Sequence, residues 1–231
     1  SCLIILGDFL DFWFENSEYD ISAEYDMFER IKSAIADYPV YLLRGNRDFL
    51  AANRFTEKTN IQILGDEAIL DFNNQRYYLT HGDILCTNDK SYQLWRYFSR
   101  NRLIKFLFKF VPKNLTVLLI KRLRIMSIIK KARSRLLNLS IVITEVKKKI
   151  KIYQANVVIC GHNHILRIIN NLEATDTTQD RRKFIVLHKL HHWGGYVLKL
   201  EKNQTEKFIV FQSSNFNQLT SEKKCNIYQE I

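Results

Sequence analysis

The chain has 231 residues, 46% of them hydrophobic, which allows one large domain with a substantial buried core. No apolar stretch reaches the roughly 18 residues of a membrane-spanning helix, and the first residues lack the basic start and cleavage site of a signal peptide, so we expect neither. The 4 cysteines have no CxxC spacing, which favours free thiols in a reducing compartment.

The net charge of +11 is unevenly distributed along the chain. Residues 93–151, the basic segment, contain 17 Lys and Arg and a single acid, Glu145, for a net charge of +16. The remaining residues contain 18 basic and 23 acidic side chains, a net charge of −5. A segment this basic indicates a partner that carries phosphates, whether nucleic acid, lipid or a small substrate.

Short apolar runs alternate with helical patterns along the chain, which indicates an α/β protein. The predicted strands are residues 3–6, 40–43, 69–72, 76–80, 157–160, 184–187, 195–200 and 208–211. Apolar residues at helical spacing predict a helix over 24–38 and a helical insert over roughly 91–150, in which Pro112 separates two helices. The polar residues after Gln212 form a tail.

Four of the predicted strands end in glycine beside potential metal ligands. The four strand ends are Gly7-Asp8, Gly45-Asn46, His81-Gly82-Asp83 and Gly161-His162-Asn163-His164. Sites in α/β sheets form at the carboxyl ends of strands, and Asp, Asn and His suit Mn²⁺, Fe²⁺ or Zn²⁺. One such end could be only a turn or a buried histidine, but the four together predict a metal site for phosphate chemistry.

The motifs at these strand ends, including Gly7-Asp8-x-x-Asp11 and Gly161-His162-x-His164, resemble those of the calcineurin-like metallophosphoesterases. Within that superfamily, "GNRDFL" (45–50) and "HGDILCTNDKSYQ" (81–93) resemble the UDP-2,3-diacylglucosamine hydrolases of lipid A biosynthesis. Arg47 stands where most of the superfamily has histidine, and that hydrolase family has arginine there. The resemblance extends from residue 3 to about residue 200.

The resemblance implies an α/β fold of four layers, an α/β/β/α sandwich, with a helical lid inserted after the third motif. The implied core is residues 1–90 with 152–212, the lid is residues 91–151, and residues 213–231 form the tail. The implied reaction is hydrolysis at the α-phosphate of UDP-2,3-diacylglucosamine, which gives UMP and 2,3-diacylglucosamine 1-phosphate (lipid X). The implied location is the cytoplasmic face of the bacterial inner membrane, as a peripheral protein. We expect a monomer that binds the anionic membrane surface and no nucleic acid.

The resemblance also implies roles for individual residues. Asp8 would bridge two Mn²⁺ ions, Asn46, His81 and His162 would complete one ion site, and His164 would serve the other. Asp8, Asn46, His81 and His162 would form the catalytic set. The implied substrate contacts are Asn46, Arg47, Asp89, Arg124, Ser127, Lys131, Ser134 and His162.

The sequence departs from the family pattern at several positions. The family's first motif, Asp-x-His, does not occur in the 231 residues, and we expect it upstream of Ser1. Without it, we expect weak hydrolysis or none, because the second ion would keep only Asp8 and His164. Ile165-Leu166 replaces the family's Arg-Pro. In the lid, Lys131 stands where the family has an amide side chain, and Ser134 stands where the family has lysine.

Two other functions fit parts of the sequence. A calcineurin-like phosphodiesterase or nuclease would use the basic segment to bind nucleic acid. An inactive, truncated homologue would only bind lipid surfaces. The Phe and Leu residues interleaved with the basic ones favour a lipid partner over stacked bases.

Several aromatic and histidine side chains near the motifs have more than one interpretation. Trp13 and Phe49 fit either an acyl groove, a uracil pocket or the core. We interpret His188 and His192 as surface residues or neighbours of the site rather than as a second metal site, and His191 matches a family histidine outside the direct ligands.

Overall fold

The structure, a computed structural model, describes residues 2–9, 33, 39–108, 110, 115, 118, 122, 141–163, 166–172, 182–187, 194–201 and 207–212. The chain divides into two compact units. The first unit comprises Ser1–Ala68 and Thr80–Glu145, and the second comprises Ile69–Leu79 and Val146–Ile231. Of the predicted helix over 24–38, only Ser33 is described, and it is helical; Pro112 and the polar tail lie outside the described residues.

The first unit contains a parallel sheet of three strands in the order β1-β2-β3. The strands are β1 (Leu3–Ile5), β2 (Val40–Leu43) and β3 (Gln62–Gly65). Helix α1 (Asn53–Thr59) connects β2 to β3. Its Phe55 is fully buried and packs with Val40, Leu42 and Ile61, so this helix covers one face of the sheet with apolar side chains.

A second group of helices in the first unit follows the motif at residues 81–89. It begins with a 3₁₀ turn (Asp83–Leu85), continues with α2 (Lys90–Arg100) and α3 (Arg102–Phe108), and α4 (Ile143–Tyr153) crosses into the second unit. Leu115, Leu118 and Arg122 are also helical, as the insert pattern predicts. No described helix has the length and apolar composition that crossing a bilayer requires.

The second unit contains most of a five-stranded sheet in the order β4-β5-β6-β8-β7. Its strands are β4 (Glu67–Phe72), β5 (Gln75–Thr80), β6 (Val157–Cys160), β7 (Arg167–Ile169) and β8 (Lys183–Val186). All four residues of β6 are buried, which explains why its sequence is continuously apolar. A separate antiparallel pair joins β9 (Gly194–Lys199) and β10 (Lys207–Gln212).

The structure confirms every predicted strand to within two residues, and its described residues include an α-helix and two strands that the sequence pattern did not predict. Helix α1 was missed because only Phe55 and Thr59 of its seven residues are buried, so no apolar stripe marks it. Strands β3 and β7 are short and partly exposed. The division into core, lid and tail stays a prediction.

Candidate metal centre

The carboxyl ends of β1 and β2 meet because the two strands are parallel neighbours in register, with Leu3 opposite Val40. Asp8 therefore lies beside the turn that carries Asn46. A Cβ on Gly45 would collide with the backbone nitrogen and carboxylate of Asp8, so only glycine allows this approach. Gly7 and Asp8 both have left-handed backbones, with φ of 79° and 53°. This conformation is uncommon in residues other than glycine, so the Asp8 backbone is unusual.

His81 follows β5 and is almost fully buried against these two turns. Its Nδ1 lies 2.7 Å from the carbonyl oxygen of Leu6, so we assign the proton to Nδ1 as the donor. Nε2 then faces Oδ1 of Asn46 at 3.0 Å and Oδ1 of Asp8 at 3.6 Å. A carbonyl that fixes the ring orientation from behind is the usual arrangement for a metal-binding histidine.

The side chains of Asp8, Asn46 and His81 form a donor set that fits a divalent cation. They offer an imidazole nitrogen that lies 3.0 Å from an amide oxygen and 3.6 Å from a carboxylate oxygen. Burial lowers the pKa of His81, but the charges of Asp8, Asp83 and Asp48 and the bond to Leu6 outweigh it and raise the pKa overall. The same negative surroundings that favour a proton on His81 would favour a metal cation there.

Among the described residues, no group of three or more His, Cys, Asp or Glu side chains is placed to hold a metal. The donor set that is present depends on the amide of Asn46 as its third member. His164, a predicted ligand of the second ion, lies outside the described residues, and His162 lies in the second unit after β6, with a left-handed φ of 67°. Their roles as ligands stay predictions.

Arg47 lies next to the carboxylate of Asp8. Its backbone N–H donates to Asp8 Oδ1 at 3.1 Å, and its Nε lies 3.7 Å from Asp8 Oδ2. The Arg47 side chain is 24% exposed, so the guanidinium borders both the candidate ligand and solvent. A phosphate held at this centre would meet a cation that can bind two of its oxygens at once.

Asp48 is a buried carboxylate that the sequence analysis did not select. Its Oδ1 accepts from the N–H of Gly45, and its Oδ2 accepts from the N–H of Phe9 at 2.9 Å. Burial raises the pKa of Asp48, and the charge of Asp8 raises it further, against the two backbone bonds that lower it. One side chain thus ties the residue after Asp8 to the residue before Asn46, and holds the two ligand turns together.

An ionic cluster of five buried or partly buried side chains in the first unit includes Asp83, the second residue after His81: Asp66, Asp83, Tyr92, Arg96 and Arg100. Arg96 contacts Asp66 and Asp83 at 3.1 and 3.2 Å, and Arg100 contacts Asp66 at 3.1 Å. Tyr92 donates to Asp83, and burial raises the pKa of its hydroxyl well above the usual value, so it stays protonated. Helix α2 is therefore fixed to the segment that carries His81.

The predicted substrate contacts are only partly described. Asp89 is buried and caps α2, because its carboxylate accepts from the N–H of Tyr92 at 2.9 Å and from Ser91 Oγ at 2.8 Å. Phe49 is only 3% exposed and packs edge to face with Trp95, which supports the core interpretation. The remaining predicted residues of the lid, with Trp13 and the histidine-rich run, lie outside the described residues: Arg124, Ser127, Lys131, Ser134, His188, His191 and His192.

Comparison with known proteins gives a consistent set of relatives. A family model described as calcineurin-like phosphoesterase matches residues 2–166. UDP-2,3-diacylglucosamine hydrolase of Vibrio cholerae is 30% identical over 182 residues, which cover 79% of this chain and 75% of that one. The Haemophilus ducreyi protein of the same name is 32% identical, over 71% of this chain and 70% of the relative.

The extent of the match varies among relatives. The Proteus mirabilis UDP-2,3-diacylglucosamine hydrolase is 34% identical over 129 residues, and the chain spans about half (52%) of its length. Among solved structures, zinc-bound Vps29 of Entamoeba histolytica aligns with 98% of this chain and 97% of its own, at 9% identity and a TM-score of 0.36. Sequence similarity, rather than that distant structural likeness, therefore identifies the relatives.

Proposed function

We propose, since the chain belongs to the calcineurin-like phosphoesterase family, that it hydrolyses the pyrophosphate bond of UDP-2,3-diacylglucosamine to UMP and 2,3-diacylglucosamine 1-phosphate in lipid A biosynthesis. The observation that carries the proposal is the cluster of Asp8, Asn46 and His81 with Arg47 at its edge. It combines a cation site with a phosphate-binding guanidinium, which pyrophosphate hydrolysis requires.

Membership of the family implies dependence on a divalent metal, and we propose Mn²⁺ as that metal. Asp8, Asn46 and His81 would hold it, and it would polarise phosphate oxygens and activate water. The protein itself supplies orientation. Leu6 fixes the His81 ring through Nδ1, and Asp48 fixes the backbone beside Asp8 and Asn46.

Arg47 has a separate role in the proposed reaction. Its backbone N–H is anchored to Asp8, so the guanidinium is positioned by the same carboxylate that would bind the metal. It would neutralise charge on the bound diphosphate and hold it against the ligands. The remaining contacts that the resemblance implies belong to the same proposal: Asp89, Arg124, Ser127, Lys131, Ser134 and His162.

The proposal includes a peripheral position on an anionic membrane. Helices α2 and α3 and the turn at Phe110 expose large apolar side chains, including Tyr97 (70%), Leu103 (66%) and Phe110 (69%). These side chains lie within the basic segment, whose charge of +16 would attract anionic headgroups. Apolar insertion and charge attraction then act together at the cytoplasmic face of the inner membrane.

UMP release tests the proposed activity. The protein, supplied with Mn²⁺, is incubated with UDP-2,3-diacylglucosamine in detergent micelles, and UMP and lipid X are quantified. We expect the two products in equal amounts, release that stops when the metal is chelated, and no cleavage of single-stranded RNA. RNA cleavage without UMP release would replace the proposal with a nuclease.

Vesicle sedimentation tests the membrane surface separately. We expect binding to phosphatidylglycerol vesicles that is weakened but not abolished by about 0.5 M salt, because apolar insertion is not screened. Phe110→Ser should weaken this binding, whereas Ile152→Ser, at an equally exposed (69%) apolar position outside the basic segment, should not. Equal loss in both variants, or displacement of the vesicles by RNA, would contradict the lipid surface.

A further inference from the structure

The side chain of Arg100 contacts both turns that carry candidate ligands. Its Nη2 donates to the carbonyl oxygen of Gly45 at 2.8 Å, directly before Asn46. The same nitrogen lies 3.8 Å from Asp83 Oδ2, two residues after His81. Arg100 is the last residue of α2, and 55 positions separate it from Gly45, so this contact exists only in the folded chain.

The surroundings of Arg100 hold its guanidinium in one orientation. Asp66 Oδ2 lies 3.1 Å from Nε, and the guanidinium carbon lies 5.6 Å from the centre of the Phe49 ring. The side chain is 11% exposed, so solvent screens these contacts weakly. The ion pair at Nε and the ring across one face restrict the orientation of the planar guanidinium, although Nε and Nη1 make no hydrogen bond to a described residue.

We propose that Arg100 is a positioning residue for the metal centre, and that it acts by fixing the peptide group before Asn46. The carbonyl of Gly45 belongs to that peptide plane, so its direction sets the direction of the next residue's backbone. If the peptide group before Asn46 were less tightly held, Asn46 Oδ1 would move away from His81 Nε2, which it now faces at 3.0 Å. The inference rests on the metal-dependent activity proposed above and assigns Arg100 no contact with substrate or metal.

Charge alone is a competing explanation, and the chain offers a matched control for it. Arg96 lies one helical turn earlier on α2 and contacts the same two carboxylates, Asp66 and Asp83, at 3.1 and 3.2 Å. Within the described residues, the side chain of Arg96 donates to those carboxylates, whereas the side chain of Arg100 donates to the carbonyl oxygen of Gly45. Replacement by lysine at either position keeps the positive charge and removes the planar guanidinium group.

The test is a Mn²⁺ titration, with the free ion measured by electron paramagnetic resonance, on the parent protein, Arg100→Lys and Arg96→Lys. Partners one step behind metal ligands typically change affinity about 10- to 100-fold, and a contact through a backbone carbonyl should lie near about tenfold. We expect about tenfold weaker Mn²⁺ binding in Arg100→Lys and a change within about twofold in Arg96→Lys. Thermal melting of both variants reports any general loss of the fold.

The outcomes separate positioning from a purely structural role. Equal Mn²⁺ affinity in Arg100→Lys and the parent overturns the inference, as does an equal loss in the two variants, which would mean that the ionic cluster acts only as a whole. Because Mn²⁺ binding is read without substrate, a protein that fails to hydrolyse UDP-2,3-diacylglucosamine still gives a result here. Failure of the inference and failure of the proposed function are therefore distinguishable.

Discussion

Replacing Asp48 with asparagine should weaken the metal centre and the fold together. In the parent protein, its carboxylate accepts one backbone N–H from Gly45 and one from Phe9. Asparagine keeps one oxygen and turns an NH₂ group towards the other N–H, so one buried donor loses its acceptor. The Asp48 side chain has no exposed surface, so water cannot replace that acceptor without rearrangement.

Two opposing effects determine how much Asp48→Asn changes the free energy of unfolding. Losing a hydrogen bond to a buried charged group costs about 1.5–3 kcal/mol. The raised pKa of Asp48 shows that burial already penalises its charge, and the neutral amide removes that penalty. We therefore expect a net loss of about 2 kcal/mol in the free energy of unfolding, or a fall of roughly 4–8 °C in Tm for a chain of this size. Mn²⁺ affinity should fall about 10- to 100-fold, because both ligand turns lose their common tie.

The assay is thermal melting by circular dichroism, with a Mn²⁺ titration on the same samples. Asp71→Asn is the matched control, because Asp71 pairs with Arg76 near the surface, where the two side chains are 62% and 41% exposed. We expect the control to melt with the parent and to bind Mn²⁺ as the parent does. If Asp48→Asn matched the parent in both measurements, the Asp48 carboxylate would not hold the two ligand turns together as proposed.

Further predictions concern individual residues of the centre. In protein that also carries the family's Asp-x-His motif, His81→Ala should lower UMP release at saturating Mn²⁺ by at least about 100-fold, because loss of a ligand removes several kcal/mol of transition-state stabilisation; activity within about threefold of the parent would remove His81 from the site. Gly45→Ala should reduce soluble yield and Tm, because its Cβ would occupy the space of the Asp8 backbone and carboxylate; a variant that melts with the parent would contradict that packing. Arg47→Lys should raise KM for UDP-2,3-diacylglucosamine more than it lowers kcat, because a point charge cannot bind two phosphate oxygens in a fixed geometry; an unchanged KM would exclude the diphosphate contact.

The ligand-bearing strand ends could be predicted because their signals are local. Val40–Leu43 and Val157–Cys160 are continuous apolar runs with glycine within the next two residues, and both form strands with the predicted bounds. Their boundaries depend on burial and on glycine's conformational freedom, which a few adjacent residues determine. Family resemblance then assigned chemistry to Asp8, Asn46 and His81, and the structure brings these three side chains together.

The residues that support the centre could not be predicted in the same way. Asp48 and Arg100 act through backbone groups 39 and 55 positions away, so neither carries a signal within its own segment. From the sequence, Asp48 would be interpreted as a turn residue, because its role appears only when β1 and β2 pair. In the sequence, Arg100 is indistinguishable from the other 16 basic residues of the basic segment. Only the packing of α2 against the Gly45 turn distinguishes it. Tertiary contacts, not propensity, distinguish them from their neighbours.

The position of bond cleavage tests the central claim most directly. The protein is incubated with Mn²⁺ and UDP-2,3-diacylglucosamine in water enriched in heavy oxygen, and both products are analysed by mass spectrometry. Hydrolysis at the α-phosphate predicts that one heavy oxygen enters UMP and none enters 2,3-diacylglucosamine 1-phosphate. Heavy oxygen in 2,3-diacylglucosamine 1-phosphate and none in UMP would contradict hydrolysis at the α-phosphate.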